Sequence, residues 1–314
     1  MLYSDFGHTG FHVSRLCFGT LTIGPLQKGL PVKEGATLIA AAFEQGVNFY
    51  DTAEYYDTYA YIKAALSKNK DAVIATKSYA YDAAGAKKSL ERYLKEIGRE
   101  RAEIFLMHEQ ESEHTIRGHY EALEYYLKMK KEGLIGAVGL STHRVSGVKG
   151  ALKFPDIEVV HPLINYAGMG IGDGTRQEME AAIGEAFAAG KALYGMKCLA
   201  GGNLIEDRER AFAYIRGLSC LHAVAVGMHS VDEVVYNAGY FGGREPDAAA
   251  AARLKAQKRS IIIDEYCIAC GSCIKRCGQG ALSMKNGKVR VDRDKCILCG
   301  YCAKSCESFA IKVI

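Results

Sequence analysis

The sequence predicts an α/β fold: a (β/α)8 barrel over residues 1–245, a helical connector at 246–259, and a small α+β cysteine-rich domain at 260–314. Three observations carry this. Short β-type runs alternate with longer helical patterns eight times over about 250 residues. No G-x-G-x-x-G follows the first run, as an open doubly wound sheet for a dinucleotide would need. Eight of the eleven cysteines fall in the last fifty residues.

The predicted strands are, in order, "RLCFGT", "VNFYD", "AVIATK", "EIFLMH", "AVGLS", "IEVVH", "ALYGM" and "AVAVG". Each is short, apolar and bounded by turn or helix signals. Between them, "EGATLIAAAFEQG", "GAKKSLERYLKEIG", "HYEALEYYLKMKKEG" and "TRQEMEAAIGEAFAAG" have helical spacing. The alanine-rich "EPDAAAAARLKAQKR" reads as the helical connector.

With 49% hydrophobic and 24% charged residues, the chain has the composition of a globular protein with a sizeable core. It has no apolar run of membrane-spanning length, and "MLYSDFGHTG" lacks a signal-peptide layout. A cytoplasmic location without membrane association is therefore expected. The net charge of +4 is too small, and too lacking in basic stripes, to predict nucleic-acid binding. From Ile261 onward there are nine Lys or Arg against five Asp or Glu, so the excess sits in the tail.

In that tail "CIACGSCIKRC" places Cys267, Cys270, Cys273 and Cys277, and "CILCGYCAKSC" repeats the spacing with Cys296, Cys299, Cys302 and Cys306. A duplicated C-x2-C-x2-C-x3-C is the run that holds two [4Fe–4S] clusters, the fourth cysteine of each run reaching the other cluster. One cluster is thus expected on Cys267, Cys270, Cys273 and Cys306, and the other on Cys296, Cys299, Cys302 and Cys277. Between the runs, "ALSMKNGKVRV" predicts a hairpin turning at Asn286-Gly287. The segment resembles a bacterial-type two-cluster ferredoxin domain, with Gly278 and Glu307 where proline is usual. Zinc and disulfides compete as readings, but zinc knuckles do not need the third and fourth cysteines at these intervals. Two oxidised clusters would carry about −4, against the tail's positive excess. A plain solvated face of Lys275, Arg276, Lys288 and Arg290 fits the same charge.

In a (β/α)8 barrel, chemistry gathers at the C-terminal ends of the strands. Asp51, Lys77, His108 and Ser141 stand at four such ends in succession. Singly, each has a plain alternative: a helix cap, a surface charge, a hydrogen-bonded rim residue. Together, "NFYDTAEYY", "VIATKSY", "IFLMHEQ" and "GLSTH" resemble the motifs of the aldo-keto reductases from about Gly7 to Gly239. With the tail, the chain resembles the iron–sulfur-containing branch of that family.

The resemblance implies a TIM barrel and a catalytic tetrad of Asp51, Tyr56, Lys77 and His108. It implies hydride transfer between NADPH or NADH and a carbonyl or alcohol, with a flavin as an alternative cofactor. Tyr56 would be the proton donor. A free tyrosine titrates near 10, so a lysine cation held by the aspartate would favour its phenolate, and the histidine would orient the carbonyl. The implied cofactor contacts are Thr20, Ser141, Thr142, His161, Met196, Lys197, Leu199, Gly201, Gly227, Ser230 and Asn237. His161 and Met196 replace the usual glutamine and stacking tyrosine, Lys197 replaces a small polar residue, and no arginine stands ready for a 2′-phosphate.

Cys17 and Cys220 are expected as small buried hydrophobes, and Cys198 as packing near the mouth. The expected partners are a small, partly apolar carbonyl or alcohol substrate and an external redox partner. The competing functions are an electron-transfer reductase linked to clusters or flavin without nicotinamide hydride, and a regulatory or electron-carrier protein.

Overall fold

Eight parallel strands close into a barrel in the computed structural model, which describes residues 1–66, 69, 71–256 and 260–313. A short antiparallel hairpin, β1 (Tyr3–Asp5) with β2 (His12–Ser14), precedes it. The barrel strands are β3 (Leu16–Gly19), β4 (Phe49–Asp51), β5 (Val73–Ser78), β6 (Ala102–Met107), β7 (Ile135–Thr142), β8 (Val159–Pro162), β9 (Ala192–Gly195) and β10 (Ala223–Gly227). Each pairs with its successor, and β10 pairs with β3 through Val224–Leu16 and its neighbours. All eight predicted runs are these strands.

Helices cover the outside: α1 (Val32–Glu44), α2 (Tyr59–Leu66), α3 (Ala83–Ile97), α4 (Glu113–Gly118), α5 (Tyr120–Lys131), α6 (Val145–Ala151), α7 (Arg176–Ala188), α8 (Arg208–Gly217) and α9 (Val231–Phe241). The predicted helical runs are α1, α3, α5 and α7. Local chemistry fixes their ends: Asp82 caps α3 by accepting from the Gly85 amide at 2.7 Å, and Thr175 and Glu178 form a capping box on α7.

Inward side chains stack inside the barrel: Cys17, Phe49, Ala75, Ile104, Leu106, Ala137, Val159 and Tyr194. The hairpin closes the N-terminal end, with Phe6 packed on Phe49, Tyr194 and His222 at centroid separations of 5.3, 6.0 and 5.7 Å. Close strand approach dictates Gly139, where a Cβ would lie 2.1 Å from the Val159 carbonyl oxygen.

Beyond the barrel, α10 (Ala248–Ala256) runs back along α9, tied by Arg253 to Asp232 at 2.7 Å. It occupies the predicted connector, of which residues 257–259 lie outside the described residues. The small C-terminal region pairs β11 (Ile261–Ile263) with β14 (Ile311–Val313) and β12 (Leu282–Lys285) with β13 (Lys288–Val291). The predicted hairpin turns at Asn286 and Gly287, both at positive φ (52° and 68°). Its two short helices, α11 (Ser272–Arg276) and α12 (Tyr301–Lys304), occupy equivalent places in the two cysteine runs, each entered through a left-handed glycine.

This region sits against the barrel mouth. Phe309 packs with Ala200, Leu204 and Ala211, flanked by Tyr166 and Met169. A Cβ at Gly170 would come within 2.1 Å of its ring. No helix among the described residues is long and apolar enough to cross a membrane.

Candidate active site

Three consecutive strand ends bring the predicted tetrad together. Asp51 ends β4, Lys77 lies in the last turn of β5, His108 follows β6, and Tyr56 stands in the short turn Glu54–Tyr56 after β4. Lys77 is 1% exposed and donates to Asp51 Oδ1 at 2.6 Å and to the Thr52 carbonyl at 2.7 Å. Its Nζ lies 5.0 Å from the Tyr56 ring centroid. The His108 and Tyr56 rings meet edge to face at 5.7 Å.

Two tyrosines that sequence reasoning missed complete this arrangement. The Tyr194 hydroxyl donates to Asp51 Oδ1 at 2.8 Å, bracing the carboxylate from below. Tyr194 also stacks on His161 at 3.7 Å, while His161 Nδ1 lies 2.6 Å from the Tyr194 carbonyl oxygen. Tyr79 stacks over His108 at 4.3 Å and donates to Glu109 at 2.6 Å. Tyr194 lies in a predicted strand and Tyr79 just after one; a tyrosine in an apolar run reads as packing, so neither gave a signal.

Burial dominates the electrostatics. It raises the Tyr56 phenol well above its ordinary value, the Asp51 carboxylate adding to the effect. The expected lowering by Lys77 is not what the site does: that ammonium is engaged by Asp51 and Thr52 and faces the ring. Tyr56 is therefore held protonated, and its hydroxyl has no hydrogen-bond partner among the described residues. Burial, reinforced by Lys77, lowers His108 well below the usual histidine range, and its Nδ1 is buried without a partner. Burial also takes His161 down to about 4 despite Asp51 nearby.

A cleft of ≈ 190 Å³ opens on Asp51 and Tyr56. Its walls include His161, Met196, Lys197, Leu199, Gly201 and Gly227, so six of the eleven predicted cofactor contacts converge there. The far end reaches Gln27, His229 and Glu233, and the C-terminal region supplies Tyr266, Phe309 and Lys312. These last three come from distant sequence, so no local pattern marks them as cleft residues.

The other five predicted contacts are engaged or lie off the cleft wall. Thr20 donates to the Asp51 carbonyl at 3.0 Å and bonds Thr58, fixing the loop. Ser141 accepts from the Glu109 amide at 2.9 Å, and Thr142 from the Arg144 amide at 3.0 Å. Ser230 caps α9, accepting from the Glu233 amide at 3.2 Å. Asn237 is buried with Oδ1 unpartnered.

The cysteines separate as the spacing predicts. Cys267, Cys270, Cys273 and Cys306 line one small void, and Cys277, Cys296, Cys299 and Cys302 line another. Apolar side chains complete both, including Ile263, Val289 and Ile311 in the first and Ile261, Leu282 and Val313 in the second. Among the described residues, no three His, Cys, Asp or Glu side chains converge as ligands of a single ion would. Four thiols around an apolar void fit a cluster of four irons better than zinc. Cys17 and Cys198 are buried, and burial pushes Cys198 up to about 12, so it serves packing; Cys220 is only half-buried.

The comparisons agree with this division. Residues 15–217 match the aldo/keto reductase family model, and residues 259–307 match a 4Fe-4S dicluster domain. The chain is 24% identical over 185 residues to L-galactose dehydrogenase of Arabidopsis thaliana, a match covering 54% of this chain and 57% of that protein. It thus spans little more than half of that curated relative. Among solved structures, PA4992 of Pseudomonas aeruginosa, assigned as an aldo-keto reductase, is 25% identical with a TM-score of 0.66, covering 77% of this chain and 94% of its own. AKR11C1 from Bacillus halodurans shares the fold at 19% identity and a TM-score of 0.65, covering 82% and 96%. With the family match covering well over half of the sequence, the chain belongs to the aldo/keto reductase family, as an oxidoreductase with a C-terminal iron–sulfur domain.

Proposed function

We propose that this enzyme reduces a carbonyl, or oxidises the corresponding alcohol, with a nicotinamide cofactor in the barrel cleft and two [4Fe–4S] clusters in the tail. The carrying observation is the protonated, unpartnered Tyr56 hydroxyl above the Lys77–Asp51 pair, opening on the cleft. A dihydronicotinamide bound there would supply hydride to the carbonyl carbon. Tyr56 meets the carbonyl oxygen and gives its proton as negative charge builds there. Lys77 places positive charge beneath the phenol, and Asp51, braced by Tyr194, holds the lysine in position. Neutral His108 orients the oxygen without competing for the proton.

The cleft fits such a cofactor. Its walls include glycine at 201, 202 and 227, where the backbone can approach a ligand closely. Leu199, Gly201 and Gly227 would line the cofactor's path, with Met196 and His161 beside the nicotinamide. Glu233 stands at the far end; despite burial, its contacts with His229 hold its carboxyl below the usual range. A carboxylate there disfavours a second phosphate, so NADH suits the cleft better than NADPH. A flavin has no support from the family.

In the tail, Cys267, Cys270, Cys273 and Cys306 would hold one cluster and Cys277, Cys296, Cys299 and Cys302 the other, each passing single electrons. The first set lies nearer the cleft, because Tyr266 precedes Cys267 and Phe309 follows Cys306 by three residues. That proximity would let an external one-electron carrier meet the first set beside the cleft, while hydride alone supplies both electrons that the carbonyl takes up. Tyr56→Phe tests the assignment: carbonyl reduction should be lost while the cluster absorbance is kept, and an unchanged rate would refute it. Anaerobic NADH tests the coupling: bleaching of the cluster band supports exchange between the centres, and turnover without bleaching opposes it.

A further inference from the structure

Among the described residues, one charge on the cleft wall has no hydrogen-bond or ion-pair partner. Lys77 is paired with Asp51, Lys312 with Asp264, and Glu233 with His229. Lys197, between them on the wall, has no hydrogen bond or ion pair from its ammonium among the described residues. Its recorded neighbour is the Phe309 ring, 4.9 Å from Nζ to the centroid. The nearest carboxylate acting on it, Glu109, already takes the Tyr79 hydroxyl at 2.6 Å and lies 3.5 Å from His143. A lysine ammonium is a compact, strongly hydrated charge, and one ring face does not replace its lost water. Lys197 also has φ of 58°, a strained conformation for a residue with a side chain.

The roof over Lys197 comes from the C-terminal region. Lys312 donates to Asp264 and to the Tyr266 hydroxyl at 3.3 Å, leaving one of its three N–H donors uncommitted. Phe309 closes the apolar side. Two ammonium groups, a phenol and an aromatic wall therefore line the cleft together with Tyr56.

We infer that Lys197, roofed by Lys312, Tyr266 and Phe309, is a receptor for one anionic oxygen group, carried either by a substrate carboxylate or by the phosphates of the dinucleotide. The inference rests on the reading of this cleft as the active site and adds the chemical class of what it takes. It also gives the iron–sulfur domain a role in recognition, because half of the receptor belongs to it. A carbonyl substrate bearing a carboxylate would then be anchored by Lys197 and reduced beside Tyr56.

The test is calorimetric titration of the anaerobically purified, cluster-loaded chain with succinate, inorganic pyrophosphate and NADH. None of these needs turnover, so the result stands even if the carbonyl-reduction reading fails, and Tyr56→Phe should leave succinate and pyrophosphate binding intact. Lys197→Met should weaken an anion that binds the wild type by at least about tenfold, with partial recovery in Lys197→Arg. Loss confined to succinate assigns the receptor to a substrate carboxylate. Loss of pyrophosphate and NADH together assigns it to the cofactor. The inference is overturned if the wild type binds neither succinate nor pyrophosphate saturably, or if the folded Lys197→Met chain binds all three probes as the wild type does. Should Lys197→Met fail to hold its clusters, the wild-type titration and Lys312→Met, expected to weaken the same anion, decide the matter.

Discussion

Two Asp–Lys–Tyr sets face the same cleft, one from each part of the chain. In the barrel, Lys77 bonds Asp51 and the Thr52 carbonyl and lies beneath the Tyr56 ring at 5.0 Å. In the tail, Lys312 bonds Asp264 and reaches the Tyr266 hydroxyl itself at 3.3 Å. The barrel set is braced by Tyr194 on Asp51, and its tyrosine hydroxyl is left free for a ligand. The tail set ties up its tyrosine, whose hydroxyl also donates to the Phe309 carbonyl at 3.3 Å, while Asp264 Oδ1 is buried without a partner. The same three residue types thus leave a phenol free in one place and bind it to a lysine in the other, which is why we propose a proton donor in the first and a recognition wall in the second. What separates them is where the ammonium sits relative to the phenol oxygen.

The largest effect should separate the two tyrosines. Tyr56→Phe is expected to lower carbonyl reduction by about 10²–10⁴-fold, the usual worth of a positioned proton donor. Tyr266→Phe should leave the maximal rate within a few-fold and act mainly on KM. Steady-state kinetics of both variants check this, and equal losses would mean the two sets do the same job. Next comes iron. The barrel has a large core of its own, whereas the tail buries few side chains, and two of these are Cys273 and Cys302. Anaerobic protein should carry about eight irons per chain. Chelating them should abolish the tail's protection from proteolysis while the barrel's melting transition persists. Loss of both together would show that the tail's docking holds the barrel up.

The two parts were legible for different reasons. In the tail, spacing alone separated the two sets of four that line the two voids, Cys306 with the first and Cys277 with the second. In the barrel, alternation located all eight strands, and the family motifs located the tetrad. The hairpin at Tyr3–Ser14 and five of the covering helices were not singled out, among them α4 and α6, which are only six and seven residues long. The cofactor contacts were the weakest reading. Ser141, Thr142 and Thr20 carry the expected hydroxyls, but the fold commits them to backbone groups. Tyr266, Phe309 and Lys312 reach the cleft only because Phe309 docks on Ala200 and Leu204, a contact between distant segments that no local pattern encodes.

The lysines of the two sets should differ next. Lys77→Met would leave Asp51 as a buried, uncompensated charge, and breaking such a pair costs about 3–5 kcal/mol. Lys312→Met strands Asp264 in the same way but in the smaller unit, so it should loosen the tail while sparing the barrel. Denaturant unfolding followed separately by tyrosine fluorescence and by cluster absorbance tells the two apart. A barrel transition unchanged in Lys77→Met would contradict the packing described for the tetrad.

The smallest effect is a pH dependence, and it falls on the lysine outside both sets. Burial brings Lys197 down to about 8, with Lys312 lowering it further while Glu109 and Asp264 act to raise it. An ordinary lysine keeps its proton until about 10.4. In the ligand-free protein Lys197 is therefore charged below pH 8 and neutral above it, and only the charged form attracts an anion. Affinity for the bound anion should be flat at lower pH and fall as pH rises above 8. The bound anion stabilises the proton, so the complex should lose it at a higher pH than the free protein. Titrations between pH 6.5 and pH 9.5 should show that decline in the wild type and a flatter profile in Lys197→Met. The same slope in both would show that the titrating group is not Lys197 and would remove Lys197 as the anion's main contact.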